Sequence, residues 1–427
     1  MTRTNDMSTR GIAVIGGGAA GLMAAIYAAD MGVAVTVFER NERCGRKLRI
    51  TGKGRCNVTN HCTRDVFFAN ITGNSRFLFS AWSRFDSAAC EHFFEECGVP
   101  LKVERGNRVF PVSDKATDVV DALVQACRDR HVRFVHRRVE GLQIEDGRVC
   151  GVILGGNVEP FDAVIVATGG MSYPLTGSTG DGYDFAKTAG HTVTDLTPSL
   201  VPLVEEGRFC ASMQGLSLRN VELAVTDTKT GKEVFREFGE LMFTHFGLTG
   251  PLVLSASAHL SPMEKGRYRA SIDLKPALDE KTLDARLLSD FEKYKNKDFL
   301  NALSDLLPQK LIAPLVQRSG IDGHKKVNAV TREERRALLT LLKGLTVDIK
   351  GFRPIDEAII TKGGVALAEI DPRTMASKKT AGLYFAGEIL DLDAYTGGFN
   401  LQIAFSTAVL AGESAAIAVW SEPELSC

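Results

Sequence analysis

Three glycines near the start of the chain have the spacing of a phosphate-binding turn. Residues 12–15 (IAVI) are typical of a strand buried on both faces, and Gly16, Gly18 and Gly21 follow directly. Glycines at this spacing permit a tight turn, a close approach of backbone to a pyrophosphate, and close packing of a helix on the strand. The pattern therefore predicts a site for the diphosphate of a dinucleotide.

The segments around this turn support the same interpretation. A helix of small residues is predicted up to Gly32, and a second apolar strand leads to Glu39. The first amides of the helix would face the phosphates, and the helix dipole adds about half a positive charge there. The Glu39 carboxylate could accept a hydrogen bond from a ribose 2′-hydroxyl but would repel a 2′-phosphate. We therefore expect FAD or NAD rather than NADP; a glycine-rich loop in an unrelated α/β protein is the alternative.

A basic segment broken by glycines follows, with the sequence RNERCGRKLRITGKGRCNVTN at residues 40–60. Its turns could wrap a dinucleotide, and its cations could neutralise the pyrophosphate. We expect Arg46, Lys47 and Arg55 on the cofactor side of this segment. A solvated basic loop is the alternative.

From this segment onward the chain resembles a known family. Residues 45–60 match the signature G-R-K-L/I-x-x-(S/T)-G-x-G-R-C-N-x-(T/S)-N of the BaiN-like FAD-dependent oxidoreductases, which include aminoacetone-oxidase-like members. The resemblance continues at residues 167–191, 243–251 and 363–412, and it covers nearly the whole chain. It implies a β-barrel-like insert with helices, placed between two halves of an FAD-binding domain.

Cys56 and Cys62 resemble the redox pair of flavin disulfide reductases, which also follows the first dinucleotide turn. Five residues separate these two cysteines, whereas four separate that pair. On a helix the two thiols would point to nearly opposite faces. Packing or cofactor contact is therefore the preferred interpretation of Cys56.

A second site of glycines and acids is predicted far downstream. The strand FDAVIVATGG ends at Thr168, Gly169 and Gly170, and the strand GLYFAGE ends at Glu388. In glutathione-reductase-like flavoproteins an acid at the latter position grips a ribityl hydroxyl. The helix that begins after Gly398 would aim its positive end at the flavin N1–O2 edge. An NAD-only dehydrogenase does not need this second site, whereas FAD is held at both ends, so we expect FAD.

The residues expected to contact the cofactor come from all these segments. They are Gly16, Gly18, Ala19, Ala20, Gly21, Glu39, Arg40, Gly45, Arg46, Lys47, Gly54, Arg55, Cys56, Asn57, Val139, Thr168, Gly169, Gly170, Gly387, Glu388, Asp391, Gly398, Asn400, Leu401 and Gln402. No metal site is expected, because the nine cysteines form no Cys-x-x-Cys pair.

The predicted fold class is α/β: a Rossmann-like (glutathione-reductase-like) FAD-binding domain with an inserted β-barrel-like unit and a small helical unit. The FAD-binding domain is assigned to residues 10–193 and 357–427. The β unit takes residues 194–276 and a return strand at 344–356, and the helical insert takes 277–343.

Several local features of the structure are predicted as well. Residues 132–135 and the strands of GLQIEDGRVCGVIL are expected to form a β-meander that turns at Asp146-Gly147. A hairpin is expected to turn at Thr230-Gly231, and Pro308 and Pro314 are expected to break helices.

The predicted activity is hydride transfer between flavin N5 and a small organic substrate such as a conjugated C=C. No second Gly-x-Gly-x-x-Gly follows a strand, so no dedicated nicotinamide domain is expected. NAD(P)H is therefore expected as a transient co-substrate. The alternatives are an oxygen-using oxidase of small amines or aminoketones, and a flavin-dependent sensor or tRNA-linked module. His245, Tyr173 and Tyr395 are weak candidates for catalysis, in a pocket expected between the flavin and the insert.

Composition narrows the partners and the compartment. With 51 Lys and Arg against 52 Asp and Glu, the net charge of −1 argues against nucleic acid and anionic membrane. The opening MTRTNDMSTR lacks the apolar core of a signal peptide, and we expect no membrane span. A reduced, cytoplasmic enzyme is therefore predicted; the sequence carries no signal for an oligomeric state.

Overall fold

The structure is a computed structural model that describes residues 11–421, so the opening segment and residues 422–427 lie outside it. The α-helices, α1 to α13 in chain order, are Ala19–Asp30, Arg46–Ile50, Arg64–Ala69, Phe79–Arg84, Ser87–Glu96, Ala116–Asp129, Asp181–Thr188, Pro251–Ser257, Glu280–Lys293, Phe299–Ala302, Gln309–Ser319, Arg332–Lys343 and Phe399–Ser421. The strands, β1 to β19, are Gly11–Ile15, Ala34–Phe38, Thr59–Asn60, Leu101–Glu104, Arg108–Pro111, Arg133–Val135, Gly141–Glu145, Arg148–Leu154, Asn157–Pro160, Ala163–Val166, Thr197–Ser199, Leu203–Glu205, Ser217–Asp227, Glu233–Phe243, Gly247–Thr249, Tyr268–Asp273, Leu345–Phe352, Ile360–Lys362 and Leu383–Phe385.

The chain divides into two compact units. The first combines the chain up to Pro198 with the chain from Ile355 onward, and the second is Ser199–Pro354. The core of the first unit is a five-stranded sheet in the order β19-β10-β1-β2-β6, in which all neighbouring strands are parallel. The Rossmann-type architecture predicted from the glycine turn is therefore confirmed.

One strand was assigned to the wrong sheet. Strand β6 was predicted to belong to a β-meander with the strands that follow it, but it pairs with β2 in the parallel sheet. The chain reaches β6 through helix α6, and such a crossover returns a strand parallel to its predecessor. The meander consists of β7, β8 and β9 instead, and it turns as predicted at Asp146 and Gly147, with φ of 46° and 77°.

Helices α1 and α13 pack closely against each other beside the sheet. A Cβ atom on Gly412 of α13 would lie 2.4 Å from the carbonyl oxygen of Ala24 in α1, so glycine is required for this approach. By length and composition, α13 is the one described helix that could cross a membrane, which the sequence analysis did not expect. In this structure 67% of its apolar window is buried within the protein, as in a core helix.

The second unit contains a closed barrel with strand order β12-β15-β14-β13-β16-β17, all of them antiparallel neighbours. The predicted hairpin is present as β13 and β14, with its turn at residues 228–232. Helix α8 begins at Pro251 with Gly250 at its N-cap, as the Thr-Gly-Pro sequence indicates.

The two prolines of the helical segment behave differently. Pro308 lies at the N-cap of α11 and separates it from the preceding helix, as predicted. The break predicted at Pro314 is wrong, because α11 continues from Gln309 to Ser319 around it. The helix buries Leu311 and Leu315 on either side of the proline, and this burial offsets the missing backbone hydrogen bond.

Candidate cofactor-binding site

The glycine turn joins β1 to α1, and backbone atoms occupy the space that side chains at Gly16 and Gly21 would need. Gly16 has a φ of +109° and donates its N–H to the carbonyl of Phe38 at 2.8 Å. A Cβ on Gly21 would lie 1.7 Å from the Gly16 carbonyl oxygen. Gly18, at the N-cap of α1, has no atom within 4 Å of its Cβ position. The turn is closed against the protein at Gly16 and Gly21 and open at Gly18.

Glu39 fixes this turn from the end of β2. Its carboxylate accepts hydrogen bonds from the N–H of Gly17 at 2.9 Å and from the N–H of Asn41 at 2.8 Å, and it is 8% exposed. The acid is therefore held at the rim of the turn, where backbone hydrogen bonds stabilise its charge.

A cluster of charges lies beyond Glu39. Arg40 contacts Asp181 at 3.3 Å, and Arg138 donates to the same carboxylate at 2.8 Å. Burial raises the pKa of Asp181, but hydrogen bonds from Arg138 and Thr179 outweigh it and hold the pKa below its ordinary value. Asp181 therefore stays ionised between the two arginines.

Lys47 connects the basic segment to the end of the chain. Its Nζ lies 2.5 Å from Oε2 of Glu388 and 2.6 Å from Oγ of Ser172. The other carboxylate oxygen of Glu388 accepts from Ser172 Oγ and from the N–H of Thr361, each at 2.9 Å. These four residues, the Lys47–Glu388 cluster, come from four separate stretches of sequence.

One pocket in the first unit is lined by residues of the glycine turn, of the charge cluster beyond Glu39 and of the Lys47–Glu388 cluster. Most of the predicted cofactor residues line it: Gly16, Gly18, Ala19, Ala20, Glu39, Arg40, Gly45, Arg46, Lys47, Val139, Thr168, Gly169, Glu388, Asn400 and Leu401. The pocket thus extends from the glycine turn to the first turn of α13, and its remaining walls include the side chains of Ile15, Phe38 and Ile403.

Comparisons with known proteins now decide the family. The protein-family model described as HI0933-like protein Rossmann domain matches residues 10–414 of the sequence. The chain belongs to the HI0933-like family. The resemblance inferred from the sequence motifs is thereby confirmed, and this HI0933-like chain is an FAD-dependent oxidoreductase.

Two curated relatives match nearly the whole chain. The 3-dehydro-bile acid delta(4,6)-reductase of Clostridium scindens is 31% identical over 95% of this chain and 98% of its own. The ribosomal RNA dihydrouridine synthase of Escherichia coli is 32% identical over 92% of this chain and 95% of its own. A solved 3-ketosteroid delta1-dehydrogenase from Sterolibacterium denitrificans has the same fold, with a TM-score of 0.50 and 13% identity over 95% of this chain and 99% of that one.

The pocket of the HI0933-like chain fits FAD. The hydroxyl of Thr168 is buried on the pocket wall and has no hydrogen-bond partner among the described residues, so it is available to a ligand atom or a water in the pocket. Gly18 leaves open space at the N-terminus of α1, where phosphates bind. Glu39, which follows β2, and Glu388, which follows β19, both line the pocket, and FAD has two sugar-like parts whose hydroxyls carboxylates can bind.

The other predicted cofactor residues do not line the pocket. They are Gly21, Gly54, Arg55, Cys56, Asn57, Gly170, Gly387, Asp391, Gly398 and Gln402. Two of them are glycines in close contact with neighbouring segments: a Cβ on Gly387 would lie 2.7 Å from Cβ of Ala20, and one on Gly398 would lie 2.3 Å from the carbonyl oxygen of Thr59.

Two polar residues of that set, Gln402 and Asp391, have protein partners instead. Gln402 donates to the carbonyl of Phe85 and to Ser406, both at 3.0 Å. Burial raises the pKa of Asp391, and a hydrogen bond from Thr194 opposes this rise. Asn57 is the exception, because its buried Oδ1 has no hydrogen-bond partner among the described residues.

Cys56 is a buried, free thiol. Burial raises its pKa to about 12, which makes it unreactive at neutral pH. Cys62 is also a free thiol. The two cysteines do not lie on one helix, as was assumed for the direction of their thiols, because strand β3 lies between them.

The three weak catalytic candidates do not line the pocket. Tyr173 follows Ser172 directly and has a φ of +53°. Burial, followed by the charge of Glu357, raises its pKa. Tyr395 donates its N–H to the carbonyl of Asn70, and His245 is exposed in the second unit, with its ring 5.0 Å from that of Phe246.

Four residues of the site are not indicated by the sequence motifs: Ser172, Thr361, Asp181 and Arg138. Ser172 had a usable signal, because it stands two residues after the glycine pair that follows β10. Thr361 had none: its hydroxyl accepts from the N–H groups of Met171 and Ser172, about 190 residues earlier. Such contacts follow from tertiary structure and have no local pattern.

Arg55 provides a direct test of the pocket assignment. Its guanidinium contacts Glu104 and Asp114, each at 2.5 Å, and lies 4.1 Å from the ring centre of Phe110. We expect Arg55→Ala to change the Kd for FAD by no more than about twofold, as for a substitution outside a site. The pocket-lining Arg46→Ala is the matched control and should weaken FAD binding about tenfold, through loss of a charged donor. Titration of FAD into stripped protein measures both, and a large effect of Arg55→Ala would place Arg55 on the cofactor.

Proposed function

We propose that this chain uses NAD(P)H to reduce a carbon–carbon double bond conjugated to a carbonyl group in an organic acceptor. The observation that carries the proposal is the pair of relatives with almost equal identity over nearly the full chain. A delta(4,6)-reductase of a 3-dehydro bile acid acts on double bonds conjugated to the 3-carbonyl. A dihydrouridine synthase acts on the ring double bond of uracil, which is conjugated to a carbonyl as well. The bond, rather than the molecule that carries it, is common to both.

Bound FAD would supply a two-electron carrier with its reactive position at N5. The chain's own residues would hold it: the amides after Gly18 at the pyrophosphate, Glu39 at the adenosine ribose, and the Lys47–Glu388 cluster at the ribityl chain. The first turn of α13 would present its positive end to the flavin, where it favours the reduced, anionic form.

A proton donor is also needed at the carbon adjacent to the carbonyl of the acceptor. Tyr173 is a candidate, because it neighbours Ser172 of the Lys47–Glu388 cluster. Its hydroxyl is protonated at neutral pH and can donate, although burial raises its pKa and so makes it a weaker acid. His245 and Tyr395 remain weaker candidates in this proposal.

The experiment is an anaerobic titration of the FAD-loaded protein with NADH and NADPH. We expect one nucleotide to bleach the visible flavin absorbance, and a cyclic enone or uridine to restore it without oxygen. Failure of both nucleotides to reduce the flavin would contradict the proposal. Release of hydrogen peroxide with small amines or aminoketones, without nicotinamide, would favour the oxidase instead.

The carrier of the double bond and the location of the enzyme are separate parts of the proposal. The overall charge of −1 supports a free small molecule, and a cytoplasmic location stays a prediction from the sequence. The distribution of the charge along the chain, however, favours a polyanion as the carrier of the double bond.

A further inference from the structure

Two segments of the first unit are strongly basic although the whole chain is nearly neutral. Residues 43–55 and 102–115 together contain ten lysines and arginines but only two carboxylates, Glu104 and Asp114. Because the net charge of the chain is −1, the remainder of the sequence is correspondingly acidic. The near-zero total therefore conceals a local concentration of positive charge.

The two segments form one surface, which we call the basic face. The N–H of Ala116 donates to the carbonyl of Gly54 at 2.8 Å, and Arg55 contacts both Glu104 and Asp114. The guanidinium of Arg108 lies 5.8 Å from the centre of the Phe110 ring, against which Arg55 also packs. Side chains from both segments therefore converge around Phe110.

Most cations of the basic face have no acidic partner. The two carboxylates are already engaged by Arg55 and by Lys102, which lies 2.8 Å from Asp114. The remaining exposed cations form no ion pair with any described residue: Arg43, Lys53, Arg105, Arg108 and Lys115. Val103 and Val112, on the same segment, are 51% and 54% exposed.

The basic face adjoins the wall of the cofactor pocket. Helix α2 belongs to its first segment, and Arg46, Lys47 and Leu48 of this helix line the pocket. A polyanion lying along the basic face would therefore lie beside the bound cofactor. Strand β4, which carries Lys102 and Val103, is an edge strand of the β3-β5-β4 sheet and is open on one side.

We propose that the basic face binds the phosphate backbone of RNA and thereby brings a uracil base to the pocket. This inference rests on the proposed function, because uracil carries the conjugated double bond that the flavin would reduce. Several cations without an acidic partner on one surface match the chain of phosphates in a nucleic-acid backbone. RNA binding by the basic face replaces the expectation, drawn from the net charge, that nucleic acid is not a partner.

The test measures binding of a fluorescently labelled, uridine-containing RNA to FAD-loaded protein by anisotropy over a range of salt concentrations. The face variant is Arg105→Glu/Arg108→Glu/Lys115→Glu. The matched control, Lys281→Glu/Arg332→Glu/Arg336→Glu, makes the same change of charge on exposed residues of the second unit. Melting temperatures of both variants establish that they fold.

We expect the face variant to bind RNA at least about tenfold more weakly and its salt slope to fall by about two to three. The control variant should bind nearly as the parent does. Equal binding by parent and face variant would overturn the proposal, as would an equal loss in both variants. Equally tight binding of phosphatidylglycerol vesicles would overturn the assignment to RNA.

Binding is read without nicotinamide, so it is independent of turnover. If neither NADH nor NADPH reduces the flavin while the face variant alone loses RNA, the proposed reaction fails and the basic face stands. If reduction of free enones proceeds and RNA binding is insensitive to the face variant, the basic face fails and the reaction stands.

Discussion

Replacing Gly18 with valine is expected to abolish FAD retention and leave the apoprotein folded. The backbone of Gly18 is extended, with φ −86° and ψ −167°, so a β-branched residue is tolerated there. The Cβ position has no described atom within 4 Å but faces the pocket, where the valine methyls would occupy the space needed by the pyrophosphate. A steric cost of about 3 kcal/mol or more raises the Kd for FAD at least ~100-fold.

Replacing Gly21 with alanine should have the opposite pattern. Its Cβ would lie 1.7 Å from the carbonyl oxygen of Gly16 and 3.0 Å from the Gly16 carbonyl carbon. Neither backbone atom can move without opening the turn between β1 and α1. We expect the apoprotein itself to lose about 3 kcal/mol or more of unfolding free energy.

Thermal unfolding with and without added FAD separates the two effects. The parent and Gly73→Val should both gain melting temperature on adding FAD, because Gly73 also has nothing within 4 Å but does not line the pocket. Gly18→Val should match the parent without FAD and gain nothing from it. If Gly18→Val retains the cofactor, the pyrophosphate does not lie at this turn.

The parts of the fold that sequence predicted correctly are those encoded by local spacing. The glycine turn, the hairpin at residues 228–232 and the start of α13 each follow from a few consecutive residues. Hydrophobic period and turn chemistry are sufficient there, because the hydrogen bonds involved join near neighbours in sequence. The same local rules predicted a helix break at Pro314. They do not include the burial of Leu311 and Leu315, which depends on tertiary packing.

The contacts that define the site are mostly long-range and had no such signal. Arg55 was assigned to the cofactor by its motif, but carboxylates 49 and 59 residues away bind it. Gln402 was assigned to the flavin, but it turns towards Phe85, 317 residues earlier. In both cases the segment that the motif indicates contributes to the pocket lining, and tertiary packing decides which side of the segment faces the pocket.

The Lys47–Glu388 cluster is the longest-range of these contacts, and its removal gives the second large expected effect. The ammonium and the carboxylate are 341 residues apart in sequence and 25% and 15% exposed. Glu388→Gln would leave the Lys47 ammonium partly buried without a counter-charge. Discounted for partial exposure, this should cost about 2–3 kcal/mol in stability and weaken FAD binding at least ~10-fold.

Lys47→Met should cost less than Glu388→Gln, because the carboxylate keeps its hydrogen bonds from Ser172 and the N–H of Thr361. The double variant should be more stable than Glu388→Gln alone, since it removes the unpaired ammonium. Denaturant unfolding of all four proteins gives a coupling energy, which we expect to be about 1–3 kcal/mol. Additive single effects would mean that the two charges do not act as a pair.

A second ion pair shows whether the effect on FAD belongs to the pocket. Lys325 and Glu334 lie 2.7 Å apart in the second unit, each 27% exposed, and neither lines the pocket. Lys325→Met and Glu334→Gln should lower stability to some degree but leave the Kd for FAD unchanged. Loss of FAD affinity in the Lys47 and Glu388 variants alone would then follow from their position, because a general loss of stability would affect both pairs. Ionic contact between the two ends of the sequence is thus expected to hold the cofactor as well as the fold.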